Sequence, residues 1–501
     1  RVDRPLSLAV GRLGTFDFPT GLYCYTGSAR RHFEARIARH LRRDKTLRWH
    51  IDYLLAATGV SVREVRRSSE GECALNQATD GAIVAPGFGA SDCRRGCGSH
   101  LKRVADLEPD RDRGVRFPEG IMVADARRVV AEPGIDIIVE MIGGEGIARD
   151  LILEAIAAGR HVVTANKALI AAHGNTLFQA AAAKGVDLFF EASVGGCMPV
   201  IKTLRESLVG NRISSMTGIL NGTCNYILSK ITDEGSTFAD ALAAAQKEGY
   251  AEADPRLDVE GHDTAHKLAI MSALAFGMEI NLREVYIEGI SHITPMDIEL
   301  AGQFGYRIKL LAIGKAHADA VEMRVHPTMI PFDNILSNVN GTLNAVSLTG
   351  DACGEILLYG RGAGMMPTAS AVVSDLVDLA RNILAGGAAG RLPGPAYQMT
   401  TIRRIPVLPI AQISTHYYFR FSALDRPGVL STISGILGRH GISIQSVQQK
   451  GRKSDGAVPV VMLSHRAREA DVQQALAEIS ALEVAAAKPM LIRIEDPNLV
   501  D

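Results

Sequence analysis

Cysteine is sparse in this chain and scattered. Seven occur in 501 residues (Cys24, Cys73, Cys93, Cys97, Cys197, Cys224, Cys353), with no paired spacing. That excludes a disulfide-framed secreted fold and suits a reducing cytoplasm. No apolar run reaches membrane-spanning length, so no spanning helix and no membrane partner are expected. No secretory signal is recognised at the N-terminus. The chain opens on Arg1 rather than Met, so its native start is expected upstream. The net charge of −1 lacks the basic excess that would imply nucleic acid for the chain as a whole. Only residues 1–105 are basic, with 18 Lys and Arg against 10 Asp and Glu, a local excess suited to a polyanion. There is no repeat of fixed period and no long low-complexity tract.

What is present has the composition of an ordinary globular protein of about three or four domains. Residues 1–101 are rich in Arg and His and hold the only tryptophan, Trp49. Residues 102–389 alternate short β-branched runs with Ala-rich helical stretches, the α/β pattern. Examples are Ile135–Val139, a helix over Ala148–Ala158, and His161–Thr164. After a Pro- and Gly-containing linker, residues 415–495 read strand, Pro-Gly turn, helix, strand, strand, helix, strand.

The stretch from Glu252 to Lys267 concentrates carboxylates and a lysine before the apolar helix Leu268–Phe276. Asp263 and Lys267 are four apart, so on a helix they share a face. Alone, the pair reads as an exposed salt bridge of small consequence; it could equally bind and protonate a small polar substrate. The strand Ile135–Val139 ends in Glu140-Met-Ile-Gly-Gly144, and His161–Thr164 ends in Thr164-Ala-Asn-Lys167. Ligands settle at such carboxyl ends of parallel strands. Glu191-Ala-Ser-Val-Gly-Gly-Cys-Met-Pro199 is a glycine-bearing loop, either a plain turn or one that turns carbonyls to a cation. Asn221-Gly-Thr-Cys-Asn225 offers amides and a hydroxyl.

Six motifs fall in order at fitting intervals. They are Thr164-Ala-Asn-Lys167, Glu191–Gly195, Ile219–Ile227, Gly249–Pro255, Asp258–Asp263 and Gly360–Ser370. Together they resemble homoserine dehydrogenase over about Lys102–Ala389. The resemblance implies NAD(P)-dependent interconversion of L-homoserine and L-aspartate 4-semialdehyde, in threonine and methionine biosynthesis. It implies Lys267, Lys167 and Asp263 as catalytic residues. Lys267 would be the general acid/base and Asp263 would orient the hydroxyl; Glu252 and Asp258 would take the substrate ammonium. Asn221 and Thr223 would also contact substrate. Ile142, Gly143, Thr164, Lys167, Gly249, Gly362 and Gly364 would contact the cofactor. Glu191, Val194, Gly196 and Met198 match the family's monovalent-cation site, a sodium site using mainly backbone carbonyls. A homodimer or homotetramer is expected. The chemistry is coherent, because hydride arriving at a carbonyl carbon leaves negative charge on oxygen, which needs a proton donor.

The family's opening unit of strand, Gly-x-Gly-x-x-Gly turn and helix, which seats the pyrophosphate, is missing. Gly87-Phe-Gly-Ala-Ser-Asp92 imitates two of the glycines, with Asp92 in place of the third. Too few residues follow for a crossover helix before Lys102–Glu108, the expected second strand. Weak cofactor binding, or an inactive relic that binds substrate or effector, is the alternative this raises. Asp106 favours a ribose hydroxyl, while Lys102 and Arg103 favour a phosphate.

Upstream, Gly21–Ser28, Arg36–Leu41, Trp49–Leu54, Glu72-Cys73 and Gly87–Cys93 resemble a little-studied family related to GIY-YIG nucleases. The resemblance makes Tyr23, Tyr25, Arg36 and Glu72 analogues of the nuclease residues, and places any nucleic-acid function in residues 1–101. Cys93-x₃-Cys97-x₂-His100 has the spacing of half a zinc site. No second half stands out, so buried or free thiols are expected. Downstream, Leu424–Leu430 with Ile442-Ser-Ile444 resembles an ACT domain, a ferredoxin-like fold, for which threonine is the implied effector and a purely dimerising role the alternative.

The expected architecture is α/β. It comprises a small α+β domain (1–101), a truncated Rossmann-type unit (102–170), an α+β catalytic and dimerisation domain (171–355), a return to the nucleotide-binding domain (356–389), and a C-terminal ferredoxin-like ACT domain (415–495).

Overall fold

The structure, a computed structural model, describes the chain apart from residues 28–32, 43–44, 63–64, 66–70, 80–82, 91–92, 94–95, 107–120, 122, 124, 387–393, 395, 450–455, 484–486 and 500–501. Asp92, Glu108 and the side chain of Asp106 therefore lie outside the described residues. Two compact units are present: residues 1–135 with 144–158, and residues 136–143 with 159–501.

The first unit is small and mixed. Strands β1 (Leu6–Ala9) and β2 (Thr15–Phe18) form an antiparallel hairpin with Leu6 opposite Phe18. β3 (Gly21–Tyr25) follows, then helices α1 (Phe33–Leu41), α2 (His50–Ala56) and α3 (Glu72–Gln77), strand β4 (Leu101–Asp106), and helices α4 (Ala126–Ala131) and α5 (Ile147–Ala157). Phe18, Ile51, Leu54, Phe88 and Leu101 centre its core. The Phe18 and Phe88 rings meet edge-on at 6.1 Å, the arrangement their quadrupoles favour.

β4 departs from expectation. It covers the strand anticipated as the second of the nucleotide-binding unit, and it pairs antiparallel with β3, Leu101 opposite Tyr25. The domain boundary expected at residue 101 is thus crossed by a strand ladder. The cause is local. β3 presents an edge whose backbone groups need partners, and the two basic residues of β4 find carbonyls just before β3 and at the end of α3. Lys102 Nζ donates to the carbonyls of Asn76 and Thr79, and Arg103 donates to that of Thr20.

The second unit begins with β5 (Ile137–Glu140), β6 (His161–Thr164) and β7 (Leu188–Phe189), a parallel sheet in that order. α6 (Lys167–Lys184) connects β6 to β7, and a short α7 (Val200–Lys202) follows. β8 (Ile213–Ile219), α8 (Gly222–Glu234), α9 (Phe238–Lys247), α10 (Arg256–Val259), α11 (His262–Phe276), β9 (Tyr286–Ile287) and α12 (Pro295–Gln303) come next. β10 (Tyr306–Ala316), β11 (Val321–Pro331), β12 (Leu343–Gly350) and β13 (Gly354–Arg361) complete a broad sheet. α13 (Met365–Leu384) then packs Val372 and Leu379 on Val163 and Phe189 of the parallel strands.

The C-terminal part is β14 (Ser414–Leu424), α14 (Val429–Arg439), β15 (Ile444–Gln449), β16 (Ala457–Ser464), a short β17 (Ala467–Arg468), α15 (Glu469–Ser480) and β18 (Met490–Ile494). Its order, β18-β14-β16-β15, is the antiparallel ferredoxin-like sheet. One feature was not anticipated. β18 also runs parallel beside β11, Arg493 opposite Thr328, so the two sheets merge into one of eleven strands, β13-β12-β8-β10-β11-β18-β14-β16-β15 with β9 and β17 at its sides.

Candidate active site

α11 starts at a left-handed Gly261 (φ +87°), where a side chain would crowd Ile287 and Val325 at 3.2 Å. One turn in, Asp263 and Lys267 share a buried face. Lys267 Nζ donates to Asp263 Oδ2 at 2.7 Å and to the Leu220 carbonyl at 2.6 Å. Lys167, first residue of α6, reaches Asp263 Oδ1 at 3.2 Å. Asp263 thus sits between two ammoniums. Burial would raise its pKa, but the two lysines, with hydrogen bonds from Lys267 and Asn221, outweigh burial and hold it below the usual carboxylate range.

Asn221 joins the set from the N-cap of α8. Its Oδ1 accepts the Cys224 backbone N–H, an N-cap bond, which fixes the amide's orientation. Nδ2 then donates to Asp258 (2.7 Å) and Asp263 (2.8 Å) together. Burial pushes the Asp258 carboxyl up, with the neighbouring Asp263 charge adding to it against the Asn221 hydrogen bond. Lys167, Asn221, Asp258, Asp263 and Lys267 therefore converge, drawn from α6, the β8–α8 junction, α10 and α11.

Glu252 does not join them. It stands exposed on the turn after α9, where Gln246 holds its carbonyl, and no hydrogen bond ties its carboxylate to the cluster. Thr223 donates its hydroxyl to the Tyr250 carbonyl at 2.6 Å, pinning that turn. Gly249, left-handed at φ +78°, ends α9.

The parallel strands carry a second constellation. Glu140, at the end of β5, is buried and was not singled out in the sequence. Its carboxylate accepts from the backbone N–H groups of Ile142 and Gly143 and from the Thr164 hydroxyl at 2.6 Å. It sets the turn at the strand ends where a nicotinamide is expected. Gly362 is constrained for a different reason: a Cβ there would lie 1.9 Å from Asn344 Nδ2. Among the described residues Asn344 Oδ1 is buried with no hydrogen-bond partner. Gly364 (φ +124°) opens α13. Glu140, Thr164 and the Ile142–Gly143 turn stand at the carboxyl ends of the parallel strands, where a dinucleotide would bind.

In the Glu191–Met198 loop, the Glu191 carboxylate is committed elsewhere, to the N–H groups of Ile201 and Lys202 at the start of α7 (2.9 and 2.8 Å). Burial raises its pKa to about 7, against those two bonds and with Asp375 adding to the rise. A cation here would be held by main-chain carbonyls. Gly195 and Gly196 are both left-handed, and a Cβ on Gly196 would strike the Arg361 carbonyl at 2.7 Å, so the loop lies backbone to backbone against Arg361–Gly362. Val194 and Met198 side chains are buried.

Residues 199–377 match the family model "Homoserine dehydrogenase", and residues 89–191 match "Homoserine dehydrogenase, NAD binding domain". The homoserine dehydrogenase of Pseudomonas aeruginosa is 48% identical over 378 residues, 75% of this chain and 87% of that protein. The chain belongs to the homoserine dehydrogenase family. The Neisseria gonorrhoeae homoserine dehydrogenase is 44% identical over 79% of this chain and 90% of its own length. Among solved structures, a homoserine dehydrogenase from Thiobacillus denitrificans superposes with a TM-score of 0.71 at 49% identity, covering 74% of this chain and 85% of that one. The S. aureus homoserine dehydrogenase gives 0.59 at 32% identity, covering 77% and 88%. Residues 417–484 match the ACT domain.

Residues 1–118 match "Domain of unknown function DUF123". This match overlaps the NAD-binding one over 89–118, the stretch that contains β4. The four nuclease-like residues have separate engagements. Tyr23 donates its hydroxyl to the Pro19 carbonyl at 2.7 Å, Tyr25 packs edge-on to Phe88, Arg36 lies 4.4 Å over the Trp49 ring, and Glu72 occupies the first turn of α3.

Proposed function

We propose that this chain interconverts L-homoserine and L-aspartate 4-semialdehyde with NAD(P). The observation that carries the reading is the Lys167–Asp263–Lys267 array, with Asp263 and Lys267 buried, Lys167 partly exposed and Asn221 bridging Asp263 to Asp258. A bound nicotinamide would supply or accept the hydride. In the reducing direction, oxygen charge grows on the substrate, and Lys267 is the proton donor. Asp263, ionised between two lysines, keeps both ammoniums in place and orients the substrate oxygen. Asp258 offers a carboxylate to the substrate ammonium. Glu252, exposed on its turn, would have to swing inward to share that role. Biosynthesis of threonine and methionine, in the cytoplasm, is the setting this chemistry serves.

The Glu191–Met198 loop takes a monovalent cation, sodium, through its carbonyls, and ACT residues Asp425–Gly428 take an amino-acid effector, threonine. Gly428, left-handed at φ +91°, opens α14 there, placing helix N–H groups where a carboxylate binds well. Assembly into a homodimer or homotetramer completes the reading, β13 and β15 being the outer strands of the sheet path.

The test is nicotinamide reduction on adding L-homoserine, followed by absorbance. Turnover that disappears in Lys267→Ala supports the assignment. Wild-type protein that binds homoserine but never reduces the nucleotide would reduce the site to a binding relic.

A further inference from the structure

Cys73, Cys93, Cys97 and His100 come together in the first unit. Their sulfur and ring-nitrogen atoms all lie within 4.8 Å of one another. Cys73 Sγ is 3.6 Å from Cys93 Sγ and 3.9 Å from His100 Nε2. A tetrahedral zinc ion with Zn–S bonds of about 2.3 Å and a Zn–N bond of about 2.0 Å needs ligand–ligand edges of roughly 3.5–3.8 Å. The four atoms already stand near those edges. We propose that they bind one zinc ion as a closed Cys₃His site.

The half-site legible at Cys93, Cys97 and His100 is completed by Cys73, which arrives from α3 across a gap too long for a spacing rule. Backbone hydrogen bonds hold His100, Cys93 and Gly87. His100 donates its N–H to the Phe88 carbonyl (2.8 Å) and accepts from Thr26 N–H (3.0 Å). Cys93 N–H is held by the Ala90 carbonyl and Gly87 N–H by that of Gly98. Cys97 and His100 are buried, and Cys73 and Cys93 are half-buried.

The unit also has a physical need for the ion. α3 is six residues long, and its one fully buried residue is the polar Asn76. Apolar packing therefore does little to hold it. Lys102 ties down its C-terminal end, and a metal on Cys73 would tie down its first turn, linking α3, the 87–98 loop and the start of β4. Small cores commonly need such a staple. Four protein ligands leave no open coordination position, so the role is structural rather than catalytic. Three sulfurs and one imidazole favour zinc over the harder divalent ions.

The test uses the full chain, purified without added metal. Elemental analysis should find one zinc per chain. Replacing it with Co²⁺ should give intense visible bands and a near-ultraviolet thiolate-to-cobalt band. Cys97→Ser and Cys73→Ser should lose that band, while a variant of the exposed cysteines, Cys197→Ser with Cys353→Ser, should keep it. Wild-type chain that holds no zinc and shows no thiolate-to-cobalt band would overturn the proposal. So would peptide mapping that finds a Cys73–Cys93 disulfide, or loss of the band in the Cys197→Ser/Cys353→Ser variant.

Discussion

Lys267 Nζ lies 2.7 Å from Asp263 Oδ2, one turn away on the buried face of α11. Both side chains are under a tenth exposed. The desolvation this imposes is offset because Lys167 and Asn221 share the same carboxylate.

The two partners are not equivalent. Lys267→Ala leaves Asp263 paired with Lys167, so the fold should survive while turnover falls by about 10²–10⁴-fold, the range for losing a general acid. Asp263→Ala strands two cations and should lower stability by about 3–5 kcal/mol as well. Denaturant melts of the two variants beside kcat measure the contrast. A Lys267→Ala variant with full turnover removes the role given to it.

Part of this geometry is legible in the sequence, for a physical reason. Asp263 and Lys267 lie on one helix, where a spacing of four fixes their common face. Asn221 heads a helix, where side-chain amides cap. Other features depend on chain-distant packing. Glu252 sits in a turn whose direction no periodicity encodes, and it is exposed. Glu140 reads as the end of a strand, and only the fold shows its carboxylate organising the next turn. β4 has the pattern of any short strand, and pattern does not say which partner it takes. The merger of β18 with β11 was hidden likewise, since an edge strand does not announce its second neighbour.

That merger supports a stability prediction. Buried Arg493, on β18, donates to Glu469 of α15 at 2.6 and 2.9 Å and to Glu288, just beyond β9, at 2.8 Å. It joins the ACT sheet to the catalytic sheet. Arg493→Met should leave Glu469 buried and under-paired, costing about 3–5 kcal/mol. If threonine acts through the ACT domain, the same variant should lose its response. Melting curves and inhibition curves together test this, and an unchanged melt would show the linkage to be of no consequence.

Glycine 362 gives a sharper steric test. Because a Cβ would overlap Asn344, Gly362→Ala should displace the Asn344 amide, with a cost of about 1–3 kcal/mol typical of overpacking. The KM for the nucleotide should rise more than that for homoserine. Equal rises in both would separate Gly362 from the cofactor.

Glu191 makes stability depend on pH. Its pKa rises from 4.5 unfolded to about 7 folded, chiefly through burial. A carboxyl with a raised folded pKa contributes stability that is complete below pH 4.5 and is lost as pH climbs through 7. The rise corresponds to about 3 kcal/mol at most. Glu191→Gln does not titrate, so the stability of wild type minus variant should be more favourable at pH 5 than at pH 8. Sodium on the neighbouring carbonyls would favour the ionised carboxylate and shift the fall to lower pH. Denaturant midpoints across pH 5–8, with sodium and with choline, measure both effects. A difference that stays flat across that range would mean the carboxyl is already ionised at pH 5.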